Sequence, residues 1–199
     1  MKHPWVIRFT FLVSIVLGRW LPHPPNWTPV GGVAITGSKS LGTLQTLMVI
    51  LTGIWLSDLW INNIMYPSHQ FIWLTNGWAY LSLAYTGMVL ISRYVSTRVP
   101  SAIMSWFLRS TLASLVFYVI SNFGVWMASD LYPSTIGGLL ACYAMAIPFL
   151  ASAWMADMCF SGILECITRP AFMRKCVFPF YGPNELANKS PKKSAKKSI

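Results

Sequence analysis

Apolar residues in this chain come in long runs, separated by short connections rich in proline, asparagine and basic residues. The runs cover about 4–21, 28–38, 41–62, 70–94, 103–128 and 136–167. A bilayer core takes roughly 20 apolar residues per helix. Five runs therefore predict full spans, while 28–38 is too short to cross alone and predicts a half-helix or tilted element packed among the others. Six crossings, or five with a re-entrant piece, both satisfy this pattern. The expected class is all-α: a polytopic membrane helix bundle of about six helices with a short second one.

Composition points the same way. The chain has 199 residues, of which 55% are hydrophobic and 10% charged, against about 25% charged in soluble domains. Lipid is thus the expected solvent, and residues 1–170 form one integral membrane domain. The remainder, 171–199, ends in NKSPKKSAKKSI, which has little to bury and predicts a disordered, basic cytoplasmic tail.

The formal charge of +10 raises the question of nucleic acid. The Lys and Arg residues lie in connections and at the ends, with no basic face interleaved with stacking aromatics, so nucleic acid is not an expected partner. Topology explains them better. With six crossings and both ends in the cytoplasm, every basic residue except Arg19 falls inside, as the positive-inside rule demands. The expected location is the bacterial inner membrane.

The first run resembles a signal peptide, but no small-x-small cleavage pattern precedes RWLPHPP, so it reads as a retained helix. Arg8 and Arg19 would snorkel to opposite interfaces. Cys142, Cys159, Cys166 and Cys176 contain no CxxC pair and read as buried thiols.

In that orientation three connections meet outside: LPHPPNW (21–27), WINNIMYPSHQ (60–70) and SDLYPST (129–135). Their prolines fix φ and make walls instead of slack linkers. The substrate-binding candidates from this region are His23, Asn26, Trp27, Asn62, Asn63 and Tyr132. Asn122, Trp126 and Asp58 join them from the adjoining helix ends, with Asp58 orienting the pocket.

An aromatic belt built from the tryptophans is the competing reading. Asp58, Asp157 and Glu165 lie in or near apolar runs, where a carboxylate is costly and faces the bundle interior or a wet cavity. For the two aspartates, a structural hydrogen bond competes with coupling to an ion or substrate. TPVGG followed by WLSD, and STIGG followed by WMAD, form an internal echo that related repeats or chance would equally produce. Gly138, Cys142 and Ala146 make a small-residue series, with Pro148 beyond it in the same run.

No phosphate-binding GxxxxGK[ST], HExxH or GxSxG is present, and no His/Cys pair stands at metal spacing. Neither cofactor nor metal is expected. Movement against a gradient would need an ion gradient or a partner.

RWLPHPPNWTPVGGVAI, WLSDLWINN, SNFGVW and LYPSTIGGLLACYAMAIPF together resemble an uncharacterised bacterial family of membrane transport proteins over about 15–165. That family is distantly similar to the S components of energy-coupling factor transporters. The resemblance implies six helices, an outward substrate pocket and an energising transporter complex as partner. Such components dock their scaffold through an AxxxA-like pattern on the first helix, for which the nearest match is Ser14 with Gly18.

The expected function is capture of a small solute at the outer face, without enzymatic chemistry. One rival is a structural or accessory subunit of a larger membrane complex. Another is a lipid-modifying enzyme with Asp58 or Asp157 as acid or base, although the sequence offers it no nucleophile or paired carboxylates.

Overall fold

The computed structural model describes residues 3–67 and 69–169; Cys176 and the basic tail 171–199 lie outside them. Among the described residues there are six α-helices and no strand. They are α1 (Pro4–Trp20), α2 (Val30–Ser40), α3 (Thr43–Trp60), α4 (Trp78–Arg98), α5 (Ala102–Ala128) and α6 (Ile136–Thr168), with a π-helical turn, Ile61–Met65, continuing α3. Three are long and apolar enough to cross a membrane: α3 with its π turn, α5 and α6. Leucines such as Leu83, Leu90, Leu115 and Leu140 face outward, which suits a lipid-facing surface.

Local chemistry sets the helix ends. Proline opens α1, where its missing N–H costs nothing. Leu21, ahead of Pro22, is extended and ends the helix. Ser101 and Thr135 cap α5 and α6, their hydroxyls accepting from the N–H groups of Met104 and Gly138.

The start of α4 differs from the expectation of a helix from residue 70. Asn63 takes both main-chain groups of Ile72: its Oδ1 accepts from Ile72 N at 2.8 Å and its Nδ2 donates to Ile72 O at 3.0 Å. A residue held at both groups cannot join a helical ladder. Gly77 then adopts φ +81°, a left-handed turn that suits glycine, and α4 begins one residue later. The same Asn63 amide donates to Leu59 O at 2.9 Å, the carbonyl that the Asn63 N–H would take in a continuing α-helix. Here the ladder widens into the π turn.

The bundle is organised around α2. Arg8 with Gln45, Ile15 with Gly53 and Arg19 with Asp58 show that α1 and α3 run parallel, with α2 returning between them. α2 is 11 residues long, about 16 Å at 1.5 Å per residue, and Val30 through Ser38 are all buried. Its glycines permit this close approach. A Cβ on Gly32 would stand 2.7 Å from Phe160 Cβ and 2.8 Å from the Ser161 main-chain nitrogen, and one on Gly37 would stand 2.6 Å from Thr46 Cγ2. Val30, Val33, Ala34 and Ile35 pack with Phe11, Ile15, Ile50, Ile54, Val89 and Leu164 to form the core.

Arginines reach two carbonyls of α2, of which Ser38 O is among those that a buried helix end would otherwise leave open. Arg109 donates through NH1 to Ile35 O at 3.1 Å, and Arg93 donates to Ser38 O at 3.1 Å. Arg109 also bonds Glu165 at 2.8 Å, with side chains 1% and 0% exposed, and Arg169 reaches the other Glu165 oxygen at 3.3 Å. Trp106 donates to Ser161 Oγ at 2.9 Å. This end of the bundle is therefore filled by hydrogen-bonded side chains.

Candidate functional site

The other end, where the connections 21–29, 66–77 and 129–135 gather, is open. The proline-rich connection dips between helices. Trp27 N donates to Pro24 O at 3.0 Å to make a tight turn, and Asn26 takes φ +61°, a conformation asparagine tolerates. Pro25 O accepts from Ser152 Oγ on α6 at 2.7 Å. The segment is pinned to α6 and delivers Pro29 against Gly18, so that α2 begins well below the rim.

Three adjoining cavities occupy this end. The deepest, about 270 Å³, is lined by Arg19, His23, Asn26, Tyr85, Phe117 and Asp157, with Thr28 and Gly31 from the start of α2. A second, about 210 Å³, lies between α5 and α6 and includes Tyr118, Ser121 and Asn122. A third, about 500 Å³, runs between α3, α4 and α5 past Asp58, Asn62 and Thr75. The first shares Asn26, Phe117 and Ala153 with the second, and Arg19, Ile61 and Leu81 with the third. Together they form one vestibule whose floor is the N-terminus of α2.

A polar relay forms its rim. Arg19 pairs with Asp58 Oδ1. Thr75 donates to Asp58 Oδ2 at 3.2 Å and accepts from Asn62 Nδ2 at 3.1 Å. These contacts join α1, α3, the π turn and the 66–77 connection around the opening. At the floor, Asp157 lies against Gly31, its Oδ2 accepting from Ser114 Oγ at 2.6 Å. The carboxyl group of Asp157 thus faces the positive end of the α2 dipole.

Of the nine residues expected to bind substrate, five line this vestibule: His23, Asn26, Asp58, Asn62 and Asn122. Asn122 directs its amide to Tyr118 O, one turn back on its own helix. The other four line none of these cavities. Trp27 packs edge-on to Phe160, Asn63 clamps Ile72, Trp126 Nε1 donates to Pro133 O, and Tyr132 lies in the 129–135 turn.

Arg19, Tyr85, Thr75 and Asp157 were absent from the expected set. Arg19 pairs with Asp58 at the rim; its signal was its isolation, since it alone broke the basic-inside pattern. Asp157 stood out as a carboxylate in an apolar run, yet the sequence held no clue that Ser114 and Gly31 would meet it. The WLSD and WMAD echo does not yield equivalent sites, because Asp58 is at the rim and Asp157 at the floor.

Residues 1–175 match the family of unknown function DUF6580, and the chain belongs to that family. No curated protein and no solved structure matches.

Proposed function

We propose that this protein is a multi-pass membrane protein that captures a small solute in the vestibule, with the 21–29, 66–77 and 129–135 connections facing outward and both termini in the cytoplasm. The observation that carries this reading is the asymmetry of the bundle. One end opens into three joined cavities, while the other is filled by the Arg109–Glu165–Arg169 cluster and the Trp106–Ser161 bond. A solute entering from the open end meets polar groups at the rim, an apolar wall of Leu81, Met88 and Phe117, and then the buried start of α2. A pocket that sets an apolar wall against a few convergent polar groups has the usual make-up of a small-molecule site.

Release to the other side requires α2 to leave its seat on α6, or the bundle to rock. The sequence has no nucleotide-binding motif, so the driving force comes from a partner complex or an ion gradient. The contact between Gly18 and Pro29 bears on that partner. The nearest match to a scaffold-docking pattern on α1 is covered at Gly18 by the chain's own α2 start, so docking would use another face.

Native mass spectrometry of protein extracted gently from its own membrane tests the reading. Ala153 lies where two of the cavities join, and Ala153→Leu would fill that junction. A retained small molecule that disappears in Ala153→Leu is the expected result. A stoichiometric protein partner with no solute would overturn capture and favour an accessory subunit.

A further inference from the structure

Among the described residues Asp157 has no cationic partner. The three ion pairs among the described residues join Arg19 to Asp58, and Arg109 and Arg169 to Glu165. Arg19 shares the deepest cavity with Asp157, but its charge is already matched by Asp58. The α2 terminus offers only about half a positive charge, and Ser114 gives one hydrogen bond. Ionising this carboxyl in a low-dielectric bundle calls for more compensation than this, which a cationic ligand would supply.

The surroundings of Asp157 supply the rest of a recognisable receptor. Tyr85 and Phe117 line the same cavity, with ring centroids 5.0 Å apart and planes inclined at 47°. Tyr85 is 6% exposed, and among the described residues its hydroxyl has no hydrogen-bond partner in the protein. Aromatic faces beside a carboxylate attract cationic nitrogen through ring quadrupoles as well as charge, and a free phenolic oxygen can accept from an ammonium N–H.

We propose that the deepest cavity recognises a solute carrying a cationic, ammonium-type nitrogen, which docks on Asp157 beside the Tyr85 and Phe117 rings. This rests on the capture reading and adds the chemical class of the solute. Its apolar body lies against Leu81 and Met88, and the cavity of about 270 Å³ limits it to a small molecule.

Three probes of one shape separate the possibilities: benzylamine, benzamide and benzoate, titrated against the full-length protein in lipid nanodiscs with tryptophan fluorescence as readout. Benzylamine is expected to bind at least tenfold more tightly than benzamide, and benzoate most weakly. Asp157→Asn should erase the preference for the amine, and Phe117→Leu should reduce it severalfold. If Asp157→Asn does not fold, the wild-type ranking and Phe117→Leu still decide. Equal binding of amine and amide, or a preference that survives Asp157→Asn, overturns the ammonium receptor while leaving solute capture standing. Absence of binding by all three, with no solute retained in native mass spectrometry, overturns both.

Discussion

Buried charge is where a single residue matters most in this bundle. Glu165 holds two arginines, and Arg109 in turn holds the Ile35 carbonyl in the middle of α2. Glu165→Ala leaves Arg109 buried without its anion, a change that costs about 3–5 kcal/mol where one partner of a buried pair is removed. Arg169, 37% exposed on its side chain, can turn to solvent and softens little of that loss. The double variant Arg109→Met, Glu165→Met is expected to be more stable than Glu165→Ala alone, because no charge is stranded. Thermal unfolding followed by tryptophan fluorescence in detergent checks the order; a double variant as unstable as the single would mean that the bond to the Ile35 carbonyl outweighs the charge. The sequence flagged Glu165 as a carboxylate near the inner end of its run. It could not reveal the partner, since Arg109 is 56 positions away and resembles any basic residue near a membrane interface.

At the scale of the element, α2 decides the architecture, and its glycines decide α2. Its shortness was legible from 28–38. So was its packing among other helices, because 11 residues cannot span alone. Which helices would cover it was not legible, since close approach depends on the glycine faces meeting Phe160, Ser161 and Thr46. The start of α4 escaped for a related reason: Asn63 and Ile72 are nine positions apart, outside any helical periodicity. Gly32→Ala tests the packing. The neighbours at 2.7–2.9 Å include main-chain atoms of α6, which cannot rotate away, and overpacking of this kind costs about 1–3 kcal/mol. Gly137→Ala is the matched control, with only Thr135 Oγ1 near, at 3.8 Å. It should be neutral or stabilising by up to about 1 kcal/mol through helix propensity. Opposite signs in thermal unfolding are the expected outcome, and equal losses would show that α2 does not sit tightly on α6.

For the whole molecule, the run pattern predicted more of the fold than of the site. Five of the six helix positions follow closely from apolar runs, because lipid requires main-chain groups to be bonded within each helix. The vestibule arises from how those helices splay at one end, a property of packing that no single run encodes. The direction in which it opens is the remaining consequence of the charge pattern. Arg93, Arg98 and Lys39 cluster at the end away from the proline-rich connection, so the vestibule should face outward.

In a cysteine-free background, single cysteines replacing His23 and Ser134 at the open end, both exposed, should react with a membrane-impermeant maleimide in spheroplasts. One replacing Arg98, also exposed, should react only after the membrane is permeabilised. The reverse pattern would turn the vestibule toward the cytoplasm. Arg109 and Glu165 would then block the outer end, and the captured solute would be drawn from inside the cell. Labelling at all three positions before permeabilisation would break the two-sided topology altogether, because Arg98 lies at the far end of α4 from the vestibule, 21 helical residues away and about 30 Å along the axis.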